Sequence, residues 1–171
     1  MVRREKMAKK KTVTTNAMRI LTAAKISFKA VEYEADEEKL KENTFRLHIA
    51  EATGIEPERS FKTLVGKGDK TGVTVFCIPV SCELDLKKAA AKTGNKRVEL
   101  IHVKELLGLT GYIRGGVSPI GMKKKYPTFF HESLESFEEA AVSGGVCGIT
   151  LLLAPIDLLK ITDGKCVDLT I

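Results

Sequence analysis

The run Gly111-Tyr112-Ile113-Arg114-Gly115-Gly116-Val117-Ser118-Pro119-Ile120-Gly121 limits this chain more than any other stretch. It packs four glycines, a proline and a serine into eleven residues. Glycine permits backbone shapes that other residues resist, and proline fixes the exit from a turn. A regular element that reaches this run must end there. Taken alone, the run reads as a tight connector between two elements. It can also bring backbone N–H groups close to an oxygen that is gaining negative charge. Which reading holds depends on whether other parts of the chain converge on it.

The chain of 171 residues fits one domain with a sizeable core. Its 43% apolar and 29% charged residues are ordinary for a soluble globular protein. The longest apolar run, near 149–154, is too short to span a membrane. No apolar signal core follows the charged N-terminus, so a cytoplasmic protein is expected. Cys77, Cys82, Cys147 and Cys166 form no Cys-x-x-Cys pair, and free thiols are expected. His48, His102 and His131 are scattered without ligand spacing. The expectation is no metal and no cofactor.

The net charge of +6 suits a polyanionic partner such as RNA. Part of the excess lies at the N-terminus, and residues 1–13 read as a basic tail before a single domain over 14–171. Other basic clusters are Lys87-Lys88, Lys96-Arg97 and Lys123-Lys124-Lys125. No predicted helix carries a helix-turn-helix signal, so DNA is not an expected partner.

Periodicity and punctuation predict short elements. Helices are expected over 16–26, with Thr15 or Asn16 as cap, over 44–53, over 85–93 between Asp85 and Gly94, over 103–109, and over 156–161 behind Pro155. Strands are expected over 28–33, 61–65, 73–80, 97–101, 128–130, 139–142, 149–153 and 165–169. The segment 66–72 reads as the turn of a hairpin, and residues 34–43 as a solvated loop. Hairpin signals outnumber strict strand–helix alternation. The predicted fold is therefore α/β: one domain with a mixed, mostly antiparallel sheet, curled or barrel-like, among short helices.

Two further stretches bear on the glycine run. In Ser60-Phe61-Lys62-Thr63-Leu64, Lys62 interrupts an apolar strand pattern. It lies either on the solvent face or in a pocket, where a lysine can neutralise a carboxylate, a phosphate or a developing oxyanion. Val142-Ser143-Gly144-Gly145-Val146-Cys147-Gly148 is a second small-residue turn, and by itself reads as a hairpin.

Together with Asp85-Leu86-Lys87-Lys88-Ala89-Ala90, these stretches occur in an order that resembles the YbaK/EbsC family of Cys-tRNA(Pro) deacylases, within the bacterial prolyl-tRNA editing superfamily. The resemblance spans roughly residues 16–169. It implies an editing domain that removes cysteine from mischarged tRNA(Pro), with Cys-tRNA(Cys) as a related substrate. It implies Lys62 as the pocket lysine, Thr63 as its neighbour, and Tyr33 and Phe45 as pocket aromatics. Gly115 and Gly116 would flank the aminoacyl carbonyl through their backbone. Ser118, Ser143, Gly144 and Thr150 would complete the substrate side. The implied chemistry is attack by the substrate's own thiol, releasing a cyclic thiolactone, so no protein nucleophile is needed. The implied partners are the acceptor end of tRNA(Pro) and prolyl-tRNA synthetase.

The chain departs from the family at Val146-Cys147-Gly148-Ile149-Thr150, where a basic pair is missing and Thr150 stands in place of an aspartate or serine. This keeps two other readings open: a deacylase for another small aminoacyl-tRNA such as Ala-tRNA(Pro), and a non-catalytic module binding aminoacyl-tRNA or a nucleotide. Cys147, in the second turn, is the protein thiol best placed to act as a nucleophile instead.

Overall fold

Thr15 starts the first helix: its Oγ1 accepts the Met18 N–H at 3.2 Å and satisfies a donor that the helix leaves open. The computed structural model describes residues 13–34 and 45–171, and for 45–48 the backbone alone. The tail expected over 1–13 and the loop over 34–43 lie almost wholly outside these residues.

In chain order the helices are α1 (Asn16–Ala23), α2 (Phe45–Thr53), α3 (Leu86–Thr93), α4 (Leu106–Thr110) and α5 (Pro155–Thr162). The strands are β1 (Lys29–Glu32), β2 (Phe61–Gly68), β3 (Gly72–Pro79), β4 (Val98–Leu100), β5 (Thr128–His131), β6 (Ala140–Ser143), β7 (Ile149–Leu153) and β8 (Lys165–Val167). Asp85 caps α3 by accepting the N–H groups of Lys87 and Lys88, and Gly94 ends it at φ +78°. The helix expected over 103–109 is divided. Glu105 reaches back to the His102 N–H and holds a 3₁₀ turn over Val103–Glu105, and α4 follows until Gly111 turns left-handed at φ +85°.

The strands form two sheets. The first is antiparallel, in the order β1-β7-β6, and the second is mixed, in the order β4-β2-β3-β5-β8. β2 runs antiparallel to β3 and β4, whereas β5 is parallel to both β3 and β8. Among the described residues neither sheet closes into a barrel, and the one sheet expected is divided into two. β7 lies between two neighbours and buries all five of its residues, which accounts for its unbroken apolar run.

The β2–β3 hairpin corrects one expectation. Gly66 and Gly68 do not belong to the turn but stay in the ladder, opposite Thr74 and Gly72. A Cβ on Gly68 would lie 2.4 Å from the Asn95 amide, and one on Gly66 would lie 3.1 Å from the Glu99 carbonyl. Glycine here makes room for β4 and Asn95, and the turn shrinks to residues 69–71. Asn95 Oδ1 accepts the N–H groups of Lys70 and Thr71 at 2.8 and 3.0 Å.

The main core gathers Ala17 and Leu21 of α1, Phe61 and Val75 of the hairpin, Phe130 of β5, and Leu151 and Leu153 of β7. Each large side chain buried there contributes about 1.5–3 kcal/mol. A second core sets Phe76 and Ile78 against Ala89, Ala90 and Leu169. The two sheets meet where Ser60, just before β2, bridges Ala141 of β6 in parallel fashion. No helix among the described residues is long and apolar enough to cross a membrane.

Candidate active site

The Ser60–Ala141 junction opens into a cavity of about 450 Å³. β2 supplies Lys62 and Thr63 to it, the β6–β7 hairpin Ser143 and Thr150, the end of β1 Tyr33, and the glycine run Gly115. Stretches far apart in sequence therefore converge, and the glycine run is more than a connector.

Lys62 is half-buried between the buried Phe61 and Thr63, and lines the cavity rather than the open solvent face. Its neighbour Thr63 turns its hydroxyl to the Cys77 thiol at 3.7 Å. Arg114 stands exposed at the mouth. The described lining residues hold these two cations and no carboxylate. Such a wall favours an anion, or a carbonyl oxygen becoming one.

Gly115 adopts φ +88°, which an L side chain rarely adopts. It is the third residue of a turn closed by the Gly116 N–H donating to the Ile113 carbonyl at 2.9 Å. This bond corrects the role expected of Gly116, because its N–H already has a partner inside the loop. The Gly115 N–H makes no hydrogen bond to another described residue. Gly116 instead serves close packing: a Cβ there would stand 2.9 Å from the Val146 Cα and 3.0 Å from the Cys147 N.

Tyr112, which sequence reasoning did not single out, ties the two turns together. Its hydroxyl donates to the Ile120 carbonyl at 2.5 Å, and a Cβ on Gly145 would meet its ring at 2.9 Å. Burial pushes its phenol pKa up.

Tyr33 lies at the cavity wall with its N–H on the Gly148 carbonyl at 2.9 Å. Burial pushes its phenol up; a separate hydrogen bond between the Gly148 backbone and the phenol oxygen opposes this, and the adjacent Cys147 side chain adds to it. Cys147 itself is not among the residues lining the cavity.

Ser143 and Thr150 pair across β6 and β7. Ser143 Oγ accepts the Gly145 N–H at 3.3 Å. Thr150 Oγ1 makes no such bond among the described residues, and neither does Ser60 Oγ. Both residues are nearly buried yet line the cavity, so two hydroxyls open into it. Ser60 was missed in the sequence because nothing distinguishes a serine that precedes a strand.

Besides Gly116, two further expected residues do not line the cavity. Ser118 is fully buried and turns its Oγ to the Ile120 N–H at 3.3 Å. Gly144 packs on Ile149, whose carbonyl accepts its N–H at 2.8 Å. Both shape the turns rather than touch the cavity. Phe45 opens α2, and its side chain lies outside the described residues. No group of three His, Cys, Asp or Glu side chains that could hold a metal occurs among the described residues.

Comparison with known proteins identifies the family of this fold. The pattern of the aminoacyl-tRNA editing domain matches residues 47–161. A protein of Enterococcus faecalis (strain ATCC 700802 / V583) named "Putative Cys-tRNA(Pro)/Cys-tRNA(Cys) deacylase EbsC" is 47% identical over 165 residues, 96% of this chain and 98% of that protein. A solved structure titled "Crystal structure of a putative trans-editing enzyme for prolyl tRNA synthetase" superposes with a TM-score of 0.77 at 27% identity, over 94% of this chain and 99% of that one. A solved hypothetical protein reaches a TM-score of 0.80 over 92% of this chain and 100% of its own, and its 21% identity makes this a likeness of fold. By its matched domain, its near-full-length relative and its fold, the chain belongs to the aminoacyl-tRNA editing domain family.

Proposed function

We propose that the protein is a trans-editing deacylase that removes cysteine from mischarged Cys-tRNA(Pro). The observation that carries this reading is the convergence of Lys62, Gly115, Ser143 and Thr150 on one cavity with no carboxylate among its described lining residues. The name of the Enterococcus faecalis relative supports the choice of substrate.

An aminoacyl ester is already activated, so orientation and oxyanion stabilisation suffice to cleave it. The substrate thiol gives up its proton to water, and its sulfur attacks the ester carbonyl carbon. The carbonyl oxygen becomes an oxyanion that the Gly115 N–H and the Lys62 ammonium stabilise. Collapse expels the ribose oxygen, which takes a proton and leaves with the tRNA, while the cysteine departs as a cyclic thiolactone. Tyr33 and the Thr150 hydroxyl bound the space for the side chain. No protein nucleophile enters this route, and prolyl-tRNA synthetase, in the cytoplasm, is the partner that would supply tRNA selectivity.

The test is deacylation of Cys-, Ala- and Ser-tRNA(Pro) side by side, with Lys62→Ala as control. Cys-tRNA(Pro) is expected to be cleaved fastest, because only its side chain carries the thiol. Equal cleavage of Ala-tRNA(Pro), or a native rate in Lys62→Ala, overturns the reading.

A further inference from the structure

We propose that the ridge from Leu100 to Ile113 is a platform for the unpaired 3′-terminal nucleotides of the RNA that carries the ester. This inference rests on the reading of the cavity as an aminoacyl-ester site.

Leu100, Val103, Leu107 and Ile113 are 48%, 53%, 54% and 58% exposed. They are half of the eight large apolar side chains that stand exposed among the described residues, and they fall within one short segment. That concentration marks a surface that binds something. The segment is also a wall of the active cavity, since Leu100, Val103 and Leu106 line it beside Arg114. The apolar surface thus runs from the mouth of the cavity outward. A substrate whose ester reaches Lys62 and Gly115 has the rest of its terminal nucleotide at this mouth.

The charges along the ridge decide what kind of ligand suits it. Lys104 is exposed beside Val103, and Arg114 beside Ile113. Lys123 lies over Gly111, with its Cγ 3.3 Å from where a Cβ would be, and its N–H is anchored on the Thr110 carbonyl at 3.0 Å. None of these three cations pairs with a carboxylate among the described residues. The one carboxylate of the segment, Glu105, accepts the His102 N–H at 3.2 Å, and Glu99 just before it pairs with Arg97. An apolar strip flanked by unpaired cations matches a ligand with flat apolar faces and phosphates between them. The ridge carries no Asn or Gln side chain, and its Tyr112 ring is buried; its one exposed ring is His102, which can stack on a base of any identity, so contact there is tolerant of sequence.

The test is direct binding of an uncharged RNA minihelix ending in single-stranded CCA, followed by fluorescence anisotropy, beside the same minihelix without the CCA. Leu107→Gln with Ile113→Gln removes ridge surface at two exposed positions that do not line the cavity. The double variant is expected to keep its Tm and to bind the CCA-ended RNA about tenfold more weakly, near the level of the shortened one. Lys104→Ala is expected to lower the slope of log affinity against log salt by roughly 0.7–1. Unchanged affinity in the double variant overturns the proposal. So does an equal loss for both RNAs, or retained RNA affinity with loss of synthetase binding, which would make the ridge a protein contact. The probe carries no amino acid, so failure of the deacylase reading leaves this measurement intact. Native deacylation with an inert ridge would sink the platform alone.

Discussion

Gly116 and Val146 touch backbone to backbone: a Cβ added to Gly116 would lie 2.9 Å from the Val146 Cα. The glycine run and the small-residue turn therefore interlock, and neither can be moved without the other. The atoms in the way belong to the main chain, so no rotamer change makes room. Gly116→Ala is expected to lower stability by about 1–3 kcal/mol, read as a fall in Tm of roughly 2–10 °C. It should also reduce deacylation about a hundredfold, because the Gly115 turn is displaced from the carbonyl. Wild-type Tm and rate in this variant would show that the interlock is not needed.

Cys147 stands beside Tyr33 but does not line the cavity. Cys147→Ser keeps the size of the side chain and is expected to retain the rate within about threefold. A loss of several decades, with intact folding by circular dichroism, would instead make the thiol a covalent nucleophile.

What the sequence made legible follows the range of the forces involved. The Thr15 cap, the Asp85–Gly94 limits of α3 and the all-buried β7 are local patterns, and each appears in the fold. The convergence of Lys62, Gly115 and Ser143 was readable only through their order along the chain, since strand alternation allowed Lys62 to face solvent. Three features were hidden because long-range or loop contacts set them. Gly66 and Gly68 read as turn residues until β4 and Asn95 are seen against them. The Ser118 hydroxyl and the Gly116 N–H are taken by partners within their own loop. Leu107 sits at a helical spacing that suggests core, yet the short α4 leaves it exposed at the cavity rim.

Alkaline pH should loosen the fold through the buried Cys77. Burial pushes this thiol up from 9.0 to about 12, with only the Thr63 contact opposing. The folded state thus holds the proton more tightly than the unfolded chain. Its contribution is fully present below pH 9 and is lost as pH rises from 9 toward 12. The full loss is up to about 4 kcal/mol, three pKa units at about 1.4 kcal/mol each. Cys166, raised to about 11 by burial and by Glu135, and the two raised phenols of Tyr33 and Tyr112 act in the same direction. Urea titrations from pH 8 to 11 should give a falling stability in the wild type. Cys77→Ala should start lower, for its cavity, and fall less steeply. Parallel slopes would remove Cys77 as the source.

Thr150 offers the most selective test of substrate contact. It lies in β7 opposite Ser143, is nearly buried, and opens its hydroxyl into the cavity without an internal partner among the described residues. Thr150→Val preserves the shape and removes only that hydroxyl. No other described group in the protein loses a hydrogen bond, so Tm should not fall, and the usual penalty for orphaning a buried partner does not arise. If the hydroxyl binds the aminoacyl group, kcat/KM for Cys-tRNA(Pro) should drop about tenfold, the size of one hydrogen bond. Ser60→Ala isolates the second open hydroxyl in the same way, and the double variant reports whether the two grip one atom or two. Additive losses place them on separate atoms of the substrate, whereas a double variant no worse than either single one places them on the same atom. If both single variants keep the wild-type kcat/KM, the hydroxyls face only solvent in the complex, and the aminoacyl group is held by Lys62 and the Gly115 turn without them.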